Sequence, residues 1–313
     1  LTSEKFFTNK YGVIIAAMLA TFFWGSAFPV IKLSYDELAI RSNETAEQLL
    51  FAGYRFFLAG LFIIAFMLLT KRNARYKKAT IKPLLKIGLF QTFIQYVFFY
   101  IGLSLSTGIQ GSIIAGTTSF FQILFAHFMY KDDALNWKKV IGLVVGFTGV
   151  VLVNLTRGTF EFKFGLGEFC LLIAMMAGAL GNILAKNGSG KMDVAYLTAY
   201  QMLFGAIGLI AAGAMFVGFT PLHFSVDAVW MLLYLSFLSA AGFILWNNVM
   251  KYNQVGKVSM YLFFIPIFGV MLSALLLGET IHMFVLLGLI FVTSGIIIVN
   301  RTKTGKQKNA SVA

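Results

Sequence analysis

Residues 261–279 read YLFFIPIFGVMLSALLLGE, an apolar run broken once near its middle by Pro266 and stopped by Gly278 and Glu279. A proline in a helix interior removes a backbone hydrogen bond and crowds the preceding turn, at a cost of about 3 kcal/mol in water. In a bilayer such a residue persists where neighbouring helices re-satisfy the freed carbonyl or where the backbone lines a cavity. The stretch is therefore expected to be a membrane helix bent near mid-depth, its bend facing protein.

Composition points the same way. The 313 residues are 59% hydrophobic and only 12% charged, with a mean hydropathy of +0.83, whereas a soluble domain carries about a quarter charged residues. The chain is predicted to be an all-α polytopic membrane protein. A net charge of +13 would suit nucleic acid if spread over a soluble surface, but its placement in the loops argues for a lipid bilayer and against a nucleic-acid partner. The lone Cys170 can form neither an intrachain disulfide nor a multi-cysteine metal site, and no cofactor or metal is expected. The first apolar run, Tyr11 to Ile31, is too long for a signal-peptide core and is followed by no small-residue cleavage site, so it is expected to be the first span.

Apolar runs of membrane length fall at ten places: Tyr11 to Lys32, Leu49 to Thr70, Pro83 to Leu105, Ile109 to Tyr130, Lys139 to Leu155, Gly165 to Lys186, Val194 to Phe219, Ala228 to Met250, Lys257 to Leu277 and Met283 to Asn300. The connections are short and leave no room for a soluble domain. With the N-terminus inside, twenty of the 25 lysines and arginines lie on the inner side, the sense of the positive-inside rule. The acidic loop DELAIRSNETAEQ then lies outside, and an even number of spans returns the C-terminus to the inside.

A shift of 146 residues aligns GLVVGFTGVVLVN (Gly142 to Asn154) with GLIFVTSGIIIVN (Gly288 to Asn300), and it also pairs Arg55 with Gln201, Phe120 with Pro266 and Asp133 with Glu279. Each half holds five spans, so the second copy enters the membrane from the opposite side. The expected organisation is one five-helix repeat over 1–155, an inverted second repeat over 156–300 and a basic tail over 301–313. Inverted repeats place the substrate site near the bilayer midplane, between the halves.

Three stretches together, WGSAFPVIK (Trp24 to Lys32), YRFFLAG (Tyr54 to Gly60) and FFIPIFGVMLSALLLGE (Phe263 to Glu279), followed by a glycine-containing last span, resemble the EamA-type drug/metabolite transporters from Tyr11 to Asn300. The resemblance implies an exporter of amino acids or other small metabolites or drugs in the cytoplasmic membrane of a bacterium, as a monomer or homodimer. It also implies a cavity lined by spans one to four and six to nine, with spans five and ten packed outside. One departure stands out. The family pattern would repeat the proline and the glutamate in the fourth span, where this chain has Phe120 and Asp133, so the first half is expected to bend less than the second, or elsewhere.

Polar residues at membrane depth supply the candidate site. Gln91 and Gln95 stand one helical turn apart on one face of the third span, and Thr118 and Gln122 repeat that spacing on the fourth; each pair either lines a cavity or forms an interhelical hydrogen bond. Thr117 and Ser119 are expected to bond their own helix. Arg55 is the most costly residue to bury and a functional candidate by default; a substrate carboxylate, helix carbonyls, Glu168 or Glu279 are its conceivable partners. Lys32, with Trp24 and Phe28 on the same face, is expected to anchor at the interface. Trp246, Asn247, Asn248, Asn182, Tyr200 and Gln201 form a polar, aromatic set suited to a zwitterionic or uncharged metabolite, with Tyr96, Tyr100 and Tyr261 as further wall members and Pro266 at the bend. His127 is expected to be structural, and Glu279 and Asp133 to cap or tether short loops.

Catalysis is not expected, because Cys170 has no histidine predicted beside it, the histidines are dispersed, and NGSGK (Asn187 to Lys191) lacks the rest of a phosphate-binding loop. The expected function is alternating-access transport, in the direction of export, of amino acids or related small polar metabolites. Cationic drugs or nucleosides as substrates, or a sensor that binds without transport, are the alternatives.

Overall fold

The computed structural model describes residues 3–131, 135–153 and 164–300. Asp133, Asn154, Arg157, Lys163 and the tail from 301, which bear on the expected repeat and loop charges, lie outside these residues. The described helices are α1 (Ser3–Thr8), α2 (Lys10–Glu37), α3 (Thr45–Leu69), α4 (Ile81–Gly88), α5 (Gln95–Ser104), α6 (Gly108–Ala115), α7 (Thr118–Met129), α8 (Trp137–Val153), α9 (Leu166–Ser189), α10 (Val194–Val217), α11 (Val226–Tyr252), α12 (Val255–Val258), α13 (Phe264–Leu277) and α14 (Met283–Asn300). Eight helical stretches are long and apolar enough to cross a membrane: α2, α3, Lys78–Ser104, Gly108–Met129, α9, α10, α11 and Val255–Leu277. Helices α8 and α14 occupy the places of the fifth and tenth expected spans.

Side chains that the sequence places at helix starts close them off. Asn9 accepts a hydrogen bond from the Tyr11 amide, Asp193 from Ala195 and Tyr196, and Ser225 from Ala228, satisfying amides that a helix cannot satisfy itself. Helix α3 packs along α10, and α8 along α14. Helix α2 lies against α11 and α13, while α9 lies against α5 and α7; α6 meets α13, α3 meets α11, and α10 meets α4 and the turn that follows it.

The ninth span is broken, but not inside a helix at Pro266. Its chain runs as α12, a 3₁₀ stretch over Ser259–Phe263, and then α13 from Phe264. Pro266 is the third residue of α13, in the first turn, where the missing N–H removes no helix bond. The fourth span is broken too, at Gly116 and Thr117 between α6 and α7, elsewhere than at Phe120, the residue aligned with Pro266. Adding 146 carries Gly116 and Thr117 onto Leu262 and Phe263, the end of the 3₁₀ stretch, so the two breaks occupy equivalent places. They also meet: a Cβ on Gly116 would lie 3.3 Å from Pro266 Cγ and 2.9 Å from Val292 Cγ1.

The proline-free break is sustained by hydroxyls. Around it the amides of Gly116, Thr117, Ser119 and Phe120 bond three residues back. Thr117, Thr118 and Ser119 donate to the carbonyls of Ile114, Ala115 and Gly116 at 2.7, 2.8 and 2.8 Å. Side-chain bonding to a carbonyl three or four residues back bends helices, and three in succession hold this turn.

Helices α8 and α14 touch through backbone. A Cβ on Gly295 would lie 2.4 Å from the Gly142 oxygen and 2.5 Å from the Gly146 nitrogen, closer than any side chain allows. Small residues at such crossings let van der Waals packing hold apolar helices together. Gly295→Ala is therefore expected to force α8 and α14 apart, destabilising the protein by about 1–3 kcal/mol, as overpacking does, and lowering the detergent melting temperature. Gly190→Ala, whose Cβ would meet only the Asn187 oxygen at 3.6 Å, should melt unchanged; equal melting of both variants would contradict this packing.

Candidate functional site

Arg55 lies on α3 and is 1% exposed. Its Nε donates to Ser239 Oγ at 2.8 Å and to the Leu235 carbonyl at 3.2 Å, and Nη1 donates to the Tyr100 hydroxyl at 3.0 Å. The rings of Phe56 and Tyr96 lie 5.0 and 5.7 Å from the guanidinium carbon, within cation–π range. Ser239 serves twice, donating to Leu235 O on its own helix at 2.6 Å while accepting from Arg55. Neither acidic residue considered for Arg55 reaches it. Glu168 accepts from the Gly165 amide at the start of α9, and Glu279 accepts from the Gly108 and Ile109 amides at the start of α6, both at 2.7 Å.

Arg55 faces a cavity of about 60 Å³ walled by Trp24, Ala27 and Phe28 of α2, Gln95, Tyr96 and Phe99 of α5, Ala115 and Thr118 at the fourth-span break, Met175 and Asn182 of α9, Phe243 of α11, and Leu262 and Ile265 at the ninth-span break. This holds a few water-sized molecules, so a metabolite must widen it. Seven of the candidates meet here: Trp24, Phe28, Arg55, Gln95, Tyr96, Thr118 and Asn182. Trp24 Nε1 and Gln95 Oε1 have no hydrogen-bond partner. The Gln95 amide lies flat on Gly178, where a Cβ would approach it to 2.7 Å.

Below the cavity, toward the lysine-rich end, the other amides form a chain. Gln122 Nε2 donates to Ser259 Oγ (2.7 Å), Asn182 Nδ2 to Gln122 Oε1 (3.0 Å), Gln91 Nε2 to Asn182 Oδ1 (2.8 Å) and to Asn247 Oδ1 (3.3 Å), and Asn247 Nδ2 to Thr198 Oγ1 (3.0 Å). All six residues are buried, and each comes from a different one of the stretches that make spans three, four and six to nine. Gln91 and Gln95 both face α9, Gln91 against Gly181 and Gln95 against Gly178, but they differ in depth by one turn, so Gln91 joins the chain while Gln95 lines the cavity; a π-helical turn spans Leu89–Ile94.

The remaining candidates lie off the wall. Tyr200 donates to the Ala74 carbonyl at 2.7 Å, among Tyr76 and Tyr196; Gln201 accepts from Thr92 Oγ1 at 2.7 Å. No residue of α10 lines the cavity, so the seventh span drops out of the expected wall. Trp246 is fully buried edge-on against Trp24, with ring centroids 5.9 Å apart. Tyr261 is half-buried in the 3₁₀ stretch, and Pro266 packs at the crossing of the breaks. His127 accepts from the Leu135 amide at 3.0 Å, a structural bond. Ser239, Thr92, Thr198 and Ser259 carried no sequence signal, because a lone hydroxyl in an apolar helix bonds its own backbone by default.

At the end away from the lysine-rich loops a cleft of about 850 Å³ includes Lys32, Tyr35, Asp36, Arg41 and Glu279 in its wall. Lys32 Nζ donates to the Ser106 and Leu103 carbonyls at 2.7 and 3.2 Å, capping the end of α5, while Glu279 caps the start of α6. Cation at a C-terminus and anion at an N-terminus each oppose the helix dipole, so the two charges fix the α5–α6 turn from both sides. Lys32 is thus a helix cap rather than only an interface anchor. Along α2 the cavity wall ends at Phe28 and the cleft begins at Lys32, one turn further. No group of three or more metal-ligating side chains occurs among the described residues.

A model of the EamA-like transporter family matches residues 11–155 and 165–301. An uncharacterized transporter of Bacillus subtilis, YvbV, is 27% identical over 92% of this chain and 91% of its own. A probable amino-acid metabolite efflux pump of Escherichia coli is 26% identical over 93% of this chain and 95% of its own. One crystal structure superposes with a TM-score of 0.65 over 90% of this chain and 98% of its own, at 16% identity; that likeness concerns the fold alone.

Interhelical hydrogen bonds in membranes average about 0.6 kcal/mol and reach about 1.7. Asn182→Ala removes two links of the chain, Ser259→Ala only the terminal one. The first is therefore expected to lower the midpoint of unfolding in lipid bicelles about twice as far as the second. An equal or reversed effect would show that the amides do not act as a connected chain.

Proposed function

The chain belongs to the EamA-like transporter family, a family of membrane transporters, and from that premise we propose that it moves amino acids or related small polar metabolites outward across a bacterial cytoplasmic membrane, by alternating access. The observation that carries this reading is a cavity with both polar and aromatic walls, set where two broken spans cross and bounded on one side by a chain of neutral hydrogen bonds. Relatives named as probable amino-acid metabolite efflux pumps favour the substrate class and the direction.

In this reading the chain folds as ten spans in two inverted halves, with both termini inside. The packing supports it: exchanging the first five spans for the last five carries the contacts of span one with eight and nine onto those of six with three and four, and those of two with eight onto seven with three. The pairs two and seven, four and nine, and five and ten exchange with themselves. The lysine-rich end is then cytoplasmic, and the amide chain is the cytoplasmic gate, shut in this conformation. Its links are individually weak and each donor has a replacement in water, so the gate opens at modest cost. On the external side the Lys32 cap ties span one to span three, and the Glu279 cap ties span nine to span four.

Efflux from cells preloaded with labelled metabolites, followed by flux into proteoliposomes, tests the reading; a sensor would bind solute without moving it. Gln95→Ala, and Gly178→Ala, which displaces the Gln95 amide, are expected to slow flux about tenfold or more, the scale of a lost polar contact in a closed site, with folding retained. Unimpaired flux in both would exclude this cavity as the site. Cysteine labelling should reach position 42 from outside and position 73 only from inside, and reversed labelling would overturn the orientation.

A further inference from the structure

We infer that Arg55 anchors a carboxylate of the transported solute, and that the cavity takes molecules bearing one carboxylate on an apolar or aromatic body. This deepens the transport reading above and rests on it. Arg55 carries a guanidinium cation, is 1% exposed, and forms no ion pair with any described residue. Removing a charge from water without a counter-charge is costly, and the two acidic residues nearest in expected depth are held at helix N-termini, on the amides of Gly165 and of Gly108 and Ile109.

The partners that Arg55 does have orient it without neutralising it. Leu235 O, Ser239 Oγ and Tyr100 OH are neutral, and they occupy Nε and one side of Nη1. Among the described residues Nη2 has no hydrogen-bond acceptor, and Arg55 lies on the cavity wall. A carboxylate binds a guanidinium through charge-assisted N–H bonds, and Nη2 with the second N–H of Nη1 is what the neutral partners leave for it. The fork is therefore fixed before the ligand arrives, which lowers the ordering cost of binding.

The rest of the wall fits the same class. Trp24 Nε1 is an unpartnered donor beside the cavity, and Gln95 Oε1 an unpartnered acceptor suited to an ammonium or another N–H. Phe28, Phe99 and Phe243 offer an apolar face. No acidic side chain lines the cavity among the described residues, so a cationic solute meets a guanidinium with nothing to offset it.

Three probes that share a phenylethyl body isolate charge: 3-phenylpropanoate (anion), phenylalanine (zwitterion) and 2-phenylethylamine (cation). Binding to the reconstituted full chain is read by tryptophan fluorescence and competition, and flux by counterflow in proteoliposomes. Both carboxylates are expected to bind at least about tenfold more tightly than the amine, and Arg55→Gln to weaken them by about ten- to a hundredfold, the scale of a charge-assisted hydrogen bond, without weakening the amine. Amine binding equal to or tighter than that of the carboxylates, no binding of any probe, or an undiminished carboxylate preference in Arg55→Gln would overturn the proposal. Where Arg55→Gln does not fold, the ranking of the three probes on the unaltered protein decides. Flux of neutral or cationic solutes without carboxylate preference overturns this inference and leaves the transport reading standing, whereas binding without flux of any solute overturns the transport reading.

Discussion

Inside a bilayer no water is at hand, so each backbone N–H and C=O, and each polar side chain, must find its partner within the protein. The interior of this protein follows from that constraint. Breaking two helices at mid-span frees carbonyls, and the freed carbonyls of the fourth span are taken by Thr117, Thr118 and Ser119. In the ninth span, Ser259 donates to the Val255 carbonyl at 2.7 Å while also accepting from Gln122. The exposed ends of α5 and α6 are taken by Lys32 and Glu279. Unpartnered buried atoms remain at several places, Gln48 Oε1, Gln201 Nε2, Trp246 Nε1 and Ser273 Oγ among them, and at the cavity they are Trp24 Nε1 and Gln95 Oε1, beside the free Nη2 of Arg55.

Much of this was legible in the sequence, and the places where it was not have physical reasons. Helix positions followed from hydropathy because backbone satisfaction leaves a membrane chain few alternatives. Arg55, Gln95 and Trp24 stood out because a polar group amid apolar residues needs a partner, and they do meet. The break at Gly116 was missed because proline was taken as the mark of a broken span, whereas consecutive hydroxyls do the same work by bonding their own backbone. Gln91 and Gln95 share a face as their spacing implies, both lying against glycines of α9, and only the depth of the cavity, which a sequence does not carry, gives the one a structural bond and the other a place on the wall. Tyr200, Gln201 and Trp246 share the chemistry of the cavity residues, but which face of a helix points inward is set by packing against its neighbours. Gly205 shows this for α10: a Cβ there would lie 2.4 Å from the Thr92 Cβ, and that close contact turns Gln201 to Thr92 rather than to the cavity.

The two polar layers differ in how easily they exchange partners. The amide chain joins neutral groups, each of which water can serve equally well, so separating it costs little once water enters. Arg55 is different, because it is a cation and its neutral partners are fixed on two helices, Tyr100 on α5 and Leu235 and Ser239 on α11. A layer able to open beside a layer that stays fixed is what the alternating access proposed above calls for.

In the proposed repeat Phe120 and Pro266 take equivalent places, and what packs against each differs. Phe120 occupies the place that Pro266 holds in the second half, and its ring fills the notch left by Gly146, where a Cβ would lie 1.9 Å from Phe120 Cζ. The residue equivalent to Gly146 is Val292, which is fully buried and borders Gly116 at the crossing of the breaks. A large ring against a glycine in one half is thus exchanged for a small ring beside a valine in the other. Interiors are packed too densely to tolerate either substitution alone; Phe120 with a valine at 146 would collide, and Pro266 with a glycine at 292 would leave a void. The proline is therefore one member of a size-matched pair that lets the second broken helix begin its new turn without an unused N–H, while the hydroxyl run achieves the same break in the first.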